Sequence, residues 1–199
     1  MNRNKIIFIS LIVVLLNACA TQAPVPEDRF YRLPTIVDKQ KMNKPKIGVF
    51  MVGPLRARGI YNERAMLYIL GEHPLEILRY HYHYWLQSPA QLVQENLVEY
   101  MRSTGIASDV VSYGTTSHED YSLRGTLLRF ERLINKDGVY VIARIEFTLE
   151  KSGRPIFTRV YENTQKVTGV SIHATVEFMG KVLENIYQQL LADIKQSPH

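Results

Sequence analysis

The sequence predicts an α+β fold, with a mostly antiparallel sheet and two amphipathic helices packed on one face of it. Two segments, residues 88–104 and from about Ile172 to about Lys195, carry apolar residues at helical spacing. Residues 139–150 instead alternate between apolar and mostly polar side chains, which is typical of a strand with one buried face. The hydrophobic fraction of 46% is sufficient for a core without disulfides.

The N-terminus is typical of an exported protein. Arg3 and Lys5 precede an apolar run, Ile6–Leu16, which is shorter than the about 20 apolar residues of a membrane span. The run therefore predicts a signal peptide over residues 1–18.

The residues that follow the apolar run, Leu16-Asn17-Ala18-Cys19, resemble the lipobox of bacterial lipoproteins. This resemblance implies cleavage between Ala18 and Cys19 and acylation of Cys19. Cys19 is the only cysteine, and a lone thiol in an exported protein otherwise lacks an explanation. The alternative is an ordinary signal peptide that happens to contain a cysteine.

Residues 19–28 are predicted to be a lipidated tether, and residues 29–196 a periplasmic domain. Pro24 and Pro26 favour an extended backbone in the tether. Fully stretched, the residues from Ala20 to Asp28 reach about 30 Å, so the domain is expected to lie close to a membrane.

Apolar and aromatic runs bounded by glycine and proline predict the strands of the first half of the chain. These strands are Phe30–Leu33, ended by Pro34; Ile47–Val52, ended by Gly53-Pro54; Met66–Leu70; and the tyrosine-rich Leu75–Trp85.

The first helix has both of its ends marked in the sequence. Ser88 is the predicted N-cap, Pro89 the first helical residue and Gln91 the third, which together form a capping box. Gly105 is the predicted stop.

A three-stranded meander is predicted to follow. Its first strand begins at Tyr121 and shifts phase near Leu128 and Phe130, which indicates a bulge. Asp137-Gly138 predicts a hairpin, and Ser152-Gly153 predicts the second turn.

The last helix is predicted to follow Ser171 as its cap. Gly180 inside this helix costs about 1 kcal/mol relative to alanine. A close approach of the helix to the sheet would explain why a glycine stands there.

The charge balance does not indicate a nucleic-acid partner. The net charge is +5, and removal of Arg3 and Lys5 with the signal peptide leaves about +3, spread without a basic block.

The sequence holds none of the usual motifs of an enzyme, namely a glycine-rich phosphate loop, a Gly-x-Ser-x-Gly elbow, a His-Glu-x-x-His pair or a cysteine pair. We therefore predict no catalytic residue, no cofactor and no enzymatic activity.

The segment Arg79–Trp85 is the candidate for partner docking. Strand alternation predicts one side with Arg79, His81, His83 and Trp85, and the other with Tyr80, Tyr82 and Tyr84. The first side is the expected docking side. Two imidazoles could contribute to a zinc site, but a third ligand is needed and Arg79 would oppose a cation, so no metal is predicted.

Three motifs carry a resemblance to a known family: Phe30-Tyr31-Arg32-Leu33, Met66-Leu67-Tyr68 and Tyr84-Trp85-Leu86-Gln87-Ser88-Pro89. With the lipobox and the order of elements, they resemble the ABC-type transport auxiliary lipoproteins, including the paraquat-inducible protein C-like group. The resemblance implies a role beside an ABC transporter or a mammalian cell entry (MCE) protein, in systems that move lipids between the inner and outer membranes.

Taken together, these features predict an outer-membrane lipoprotein that faces the periplasm and docks such a system. Ala20 after Cys19 is similar to an outer-membrane sorting signal. The expected partners are an MCE-type protein, ABC transporter components and the membrane itself through the lipid anchor, and a homo-oligomer is a further expectation. The alternatives are an envelope-integrity or assembly lipoprotein without a transporter, and a periplasmic hydrolase.

Overall fold

In the computed structural model, residues 26–114 and 118–197 are described, and they contain eight strands, one short 3-10 helix and two α-helices. In chain order these are β1 (Arg29–Tyr31), β2 (Ile47–Ala57), the 3-10 helix (Gly59–Asn62), β3 (Ala65–Leu70), β4 (Leu78–Trp85), α1 (Pro89–Thr104), β5 (Ala107–Ser112), β6 (Tyr121–Asn135), β7 (Gly138–Lys151), β8 (Arg154–Lys166) and α2 (Ile172–Gln196). The predicted α+β class is confirmed.

The sheet is mixed and not purely antiparallel, so the prediction of a mostly antiparallel sheet is confirmed only in part. Strand β6 is its central strand: β7 pairs antiparallel along one edge, and β2 and β3 share the other edge, both parallel to β6. Beyond them, β5 lies parallel to β2, β4 antiparallel to β3, and β1 parallel to β4. Hairpins give antiparallel pairs, whereas β2 and β5 are joined by a long crossover that includes α1, and such crossovers give parallel pairs.

The predicted meander of β6, β7 and β8 is confirmed. The register between β6 and β7 shifts between Leu127 and Arg129, at the expected bulge. The second turn has positive φ at both of its residues, 48° at Ser152 and 76° at Gly153, as in the tight turns that suit hairpins. The alternating apolar residues of β7 are all buried: Val139, Val141, Ala143, Ile145, Phe147 and Leu149.

Both helices begin and end close to the predicted residues. Helix α1 starts at Pro89 and ends at Thr104, and the predicted stop, Gly105, follows with a left-handed φ of 66°. In α2 the Ser171 hydroxyl accepts the Ala174 N–H at 3.1 Å, so this cap is confirmed. The Ser88 hydroxyl makes no such bond and instead donates to Oε1 of Gln91 at 3.0 Å, so the predicted capping box is wrong at this point.

The helices contact the sheet and each other. Helix α1 contacts β2 and β5, whereas α2 contacts β7 and β8. The rings of Tyr100 in α1 and Tyr187 in α2 lie 5.3 Å apart, and the Tyr187 hydroxyl donates to the Val93 carbonyl at 3.2 Å. The hydrophobic core therefore joins both helices to the central strands.

The segment between β1 and β2 explains the glycine inside α2. A Cβ built on Gly180 would lie 2.2 Å from Cγ of Pro34. The Pro34 carbonyl in turn accepts Nδ2 of Asn96 from α1 at 2.9 Å. From the sequence we expected Gly180 to allow a close approach of the helix to the sheet. Its close neighbour is instead the segment between β1 and β2.

Several strands differ from the sequence-based prediction. Strand β1 ends at Tyr31 and not at Leu33, and β4 begins at Leu78 and not at Leu75. Strand β2 does not end at Gly53-Pro54 but continues to Ala57, and its register with β6 shifts between Val52 and Leu55. A bulge thus accommodates the proline, which has no N–H to give to the ladder. Strand β5, which pairs with β2, was not predicted.

Candidate functional site

Strand β4 follows an irregular course between β1 and β3. Its pairing with β3 joins Leu67 to Arg79 and Ala65 to Tyr84, so a longer stretch of β4 lies opposite a shorter stretch of β3. Within this irregularity Tyr82 has a left-handed φ of 64°. An odd number of extra residues in a strand moves the side chains that follow to the opposite face.

The reversal corrects the expected docking side. Arg79 and His81 are exposed, as expected. Trp85, however, is only 3% exposed, and its ring centroid lies 5.2 Å from that of Phe130. His83 is half-buried. The prediction that Arg79, His81, His83 and Trp85 share one exposed side is therefore wrong for Trp85 and His83, because the left-handed residue between His81 and His83 interrupts the alternation.

The environment of His83 is aromatic and cationic. Its Nδ1 lies 3.0 Å from the Tyr31 hydroxyl of β1, and the Tyr80 ring meets it edge-on at 5.8 Å between centroids. Burial, followed by the charges of Arg29 and Arg132, lowers the pKa of His83 below its ordinary value. The imidazole is therefore neutral near pH 7 and serves to hold β1 against β4.

A groove of about 590 Å³ lies between the start of β1 and the exposed side of β4. We name it the β1–β4 groove, and its lining comprises Asp28, Phe30, Glu63, Arg64, Ala65, Arg79, Tyr80, His81 and Tyr84. The volume lies in the range of ligand and peptide sites. Asp28 is also the last residue of the predicted tether, so the groove lies where the tether joins the domain.

Aromatic and cationic side chains order the walls of the groove. The Phe30 and Tyr84 rings stack at 5.8 Å, and the Arg64 guanidinium lies 5.3 Å from the centroid of the Phe30 ring. Nε of Arg79 lies 3.2 Å from Oε2 of Glu63. Phe30 remains 53% exposed.

Phe30 and Arg64 were not among the docking residues predicted from the sequence. Phe30 lies in the short β1, far from β4 in the chain, and Arg64 lies just before β3. The available signal was the aromatic pair Phe30-Tyr31 next to the tether. Only the parallel pairing of β1 with β4 brings it beside Arg79 and His81.

The histidines of β4 do not converge on a metal site. His81 is exposed on the groove side, whereas His83 faces Tyr31 and Tyr80. Within residues 26–114 and 118–197, no group of three His, Cys, Asp or Glu side chains could hold a metal ion.

One buried carboxylate lies under the bulge of β6. Glu131 is 1% exposed, and its Oε1 lies 2.6 Å from Nη2 of Arg129. Its Oε2 accepts the Phe130 N–H at 3.1 Å. The pKa of Arg129 is raised, since the attraction of Glu131 outweighs the effect of burial. The Arg129 guanidinium and the Phe130 N–H thus compensate the buried negative charge of Glu131, which stabilises the fold.

The predicted lipidation and cleavage positions, Cys19 and Ala18, lie outside the described residues. In the part of the chain that the structure covers, no helix is both long and apolar enough to cross a membrane.

Among protein-family models, that of the ABC-type transport auxiliary lipoprotein component matches residues 31–191. This finding confirms the resemblance that the motifs around Phe30, Met66 and Tyr84 indicated. A search of curated proteins found no match.

Solved structures share the fold. A protein from Xanthomonas campestris matches with a TM-score of 0.71 at 17% identity, over 82% of this chain and 92% of its own. A second, described only as an uncharacterized protein, matches with a TM-score of 0.66 at 16% identity, over 84% of this chain and 99% of its own. At such identities the likeness concerns the fold alone.

Proposed function

Since this chain belongs to the family of ABC-type transport auxiliary lipoproteins, we propose that it is a non-enzymatic docking component of an ABC-linked or MCE-type lipid-trafficking system. The match over residues 31–191 is the observation that carries the proposal, because it covers α1, most of α2 and most of the sheet. The family description is that of a transport component, which favours a role through contact and position.

The proposed location is the periplasmic face of the outer membrane, with the lipid on Cys19 as the anchor. Support comes from the lipobox, from Ala20 directly after the cysteine and from the tether of residues 19–28. A stretched tether holds the start of β1 within about 30 Å of the acylated residue.

The β1–β4 groove is the proposed docking surface. Its lining includes Arg79 and His81 of β4 together with the exposed ring of Phe30. Tyr82, beside His81, is 41% exposed. Aromatic and arginine side chains are enriched among the residues that contribute most to protein interfaces, which supports a protein partner here.

The proposal can be tested by photocrosslinking in living cells. A photoreactive residue in place of His81 or Tyr82 should yield crosslinks to an MCE-type protein or an ABC transporter component. Arg154, exposed at the turn between β7 and β8, is the matched control position. Arg154 pairs with Lys151, which in turn pairs with Tyr121 at the first end of β6. Strand β3 pairs with β6 near its other end, at Arg132, so a photoreactive residue at Arg154 should yield no such crosslink.

The outcomes separate the alternatives. Crosslinks to envelope proteins other than transport components would favour an assembly or envelope-integrity lipoprotein. Crosslinks between copies of the chain would indicate a homo-oligomer. If neither β4 position crosslinks and affinity capture of the whole protein returns no transport component, the proposed function is wrong. A hydrolytic activity that persists through purification would favour the hydrolase.

A further inference from the structure

The two most exposed large hydrophobic side chains among the described residues lie at one end of the sheet. Leu75 is 99% exposed in the turn between β3 and β4, and Val170 is 76% exposed in the segment between β8 and α2. Single exposed hydrophobic residues are ordinary on a protein surface. What distinguishes these two is their shared position, which is also the end toward which the tether leaves the domain.

Backbone hydrogen bonds place both segments where β6 turns into β7. In the turn after β3, the Gly71 N–H donates to the Ile134 carbonyl near the end of β6 at 2.9 Å. In the segment before α2, the Val167 N–H donates to the carbonyl of Val139, at the start of β7, at 2.8 Å. We name this region the turn end of the domain, and it comprises residues 71–77, 135–138 and 168–171.

The exposure of Leu75 follows from an ordered turn. The His73 N–H donates to the Leu70 carbonyl at 2.9 Å, and the Glu76 N–H donates to the His73 carbonyl at 3.0 Å. Pro74, between these two bonds, has a φ restricted by its ring. The turn therefore holds the Leu75 side chain outward, and an ordered loop of this kind loses little conformational entropy when it binds a surface.

The chain enters the domain along the same direction. Strand β1 is parallel to β4, with Arg29 opposite His83. The residues before Arg29 therefore continue toward Leu78, the first residue of β4, which directly follows the turn end. Asp28 agrees with this course, since it lines the β1–β4 groove together with Arg79 of β4. The tether thus leaves the domain toward the turn end.

The predicted tether is long enough to let the turn end reach a membrane. From His83 back to Leu78, β4 spans at most about 17 Å. Residues 19–28, when stretched, reach about 30 Å. Contact of the turn end with the bilayer therefore does not require a fully stretched tether.

We propose that the turn end rests on the bilayer that holds the lipid anchor, with the side chains of Leu75 and Val170 inserted at the boundary between headgroups and acyl chains. The contact rests on the proposed acylation of Cys19. Transfer of an exposed leucine or valine side chain from water to an apolar medium is favourable. The anchor and this contact together hold the domain in one orientation, in which the β1–β4 groove on the flank of β4 stays open to a protein partner.

The charges of the turn end indicate which lipid surface it fits. Its charged residues are exposed and carry both signs, namely Glu72, Glu76, Lys136 and Asp137. Attraction to anionic lipids depends on clusters of lysine and arginine, and this end has no such cluster. The contact therefore depends on the apolar side chains, and it forms on a zwitterionic bilayer and is insensitive to salt.

The test uses the acylated full chain in phosphatidylcholine vesicles. Acylation blocks Cys19, so that Leu75→Cys or Val170→Cys takes a single nitroxide label at an exposed position. Leu86→Cys is the matched control, because Leu86 is 49% exposed and follows the opposite end of β4. Electron paramagnetic resonance then measures the access of oxygen, which is enriched in the bilayer, and of a water-soluble nickel chelate present on both sides of it.

Labels at Leu75 and Val170 should lose access to the chelate and gain access to oxygen, whereas the label at Leu86 should stay open to the chelate. The same values should hold in about 0.1 M and about 1 M sodium chloride, between which the Debye length falls from about 10 to about 3 Å. Equal access of the chelate to all three labels, or equal shielding of all three, overturns the proposal.

Flotation of the same vesicles separates this contact from the anchor. Protein that floats while its labels at Leu75 and Val170 stay open to the chelate overturns the contact and leaves the anchor and the proposed function standing. Protein that does not float overturns the anchor, and the contact with it. In living cells, a photoreactive residue at Leu75 that crosslinks to a transport protein as strongly as one at His81 assigns the turn end to a protein partner, which also overturns the proposal.

Discussion

Tyr82 decides which side chains of β4 reach the surface. Its φ of 64° is a conformation that residues with a side chain rarely adopt. Before it, Tyr80 turns toward Arg132; after it, Trp85 turns toward Phe130. A single left-handed residue thus moves Trp85 into the core while leaving Arg79 and His81 on the groove.

At the same scale, His83 should make stability depend on pH. Its pKa is lowered in the folded state, mainly by burial. Below the unfolded value of about 6.5, the unfolded chain therefore binds a proton that the folded chain does not. The free energy of unfolding should fall as the pH falls from about 6.5 toward the folded pKa. Urea midpoints measured between about pH 7.5 and pH 5 will show this, and His83→Gln should reduce the fall.

The matched control for this prediction is His81→Gln, which changes an exposed histidine on the same strand. It should keep the pH dependence of the wild type. If the His83→Gln and wild-type curves run parallel over this range, His83 does not contribute to the pH dependence.

At the scale of elements, the two helices should differ in how much they depend on their N-cap serines. The Ser171 hydroxyl accepts the Ala174 N–H, whereas the Ser88 hydroxyl donates to the Gln91 side chain. We expect Ser171→Ala to lower the free energy of unfolding by about 1 kcal/mol, and Ser88→Ala by only a few tenths. Denaturant titration of both variants beside the wild type measures the two effects.

The two serines serve as controls for each other, since each directly precedes an α-helix. Equal losses of stability would mean that the Ser88 hydroxyl also caps its helix in solution. A neutral Ser171→Ala would show that the bond to Ala174 contributes nothing measurable.

The strands show how an element tolerates a residue that usually ends it. Strand β2 contains Pro54 yet continues to Ala57, because the register with β6 shifts at this point and no ladder bond is required of the proline. In β6, the shift between Leu127 and Arg129 was predictable, since the apolar pattern itself changes phase there. The proline in β2 gave no comparable signal.

At the scale of the whole molecule, attachment to a membrane is expected to depend on one side chain. Cys19→Ser should abolish the incorporation of labelled fatty acid and release the protein from the membrane fraction, because the lone cysteine is the only acylation site that the lipobox offers. Metabolic labelling and fractionation of cells measure both effects. Normal labelling of the Cys19→Ser variant would contradict the lipoprotein interpretation. Docking at the β1–β4 groove could still be tested by crosslinking.

The arrangement of the sheet belongs to the same scale. Strand β6 is long enough to pair with β2 through its first half and with β3 near its end, so one edge carries two branches. Strands β5, β4 and β1 then extend these branches. The β1–β4 groove lies on the branch that begins at β3, and its lining includes Asp28, the last residue of the predicted tether.

The sequence by itself determined the α+β class, the meander with its two turns, and the first residue of each helix. These features depend on patterns within a few neighbouring residues, such as the alternation in β7 or the pair Ser88-Pro89. The family resemblance was likewise carried by short motifs. Only the tertiary structure decided that the sheet is mixed, that Pro34 covers Gly180 and that Phe30 faces β4. Each of these depends on contacts between residues far apart in the chain, which local patterns do not encode.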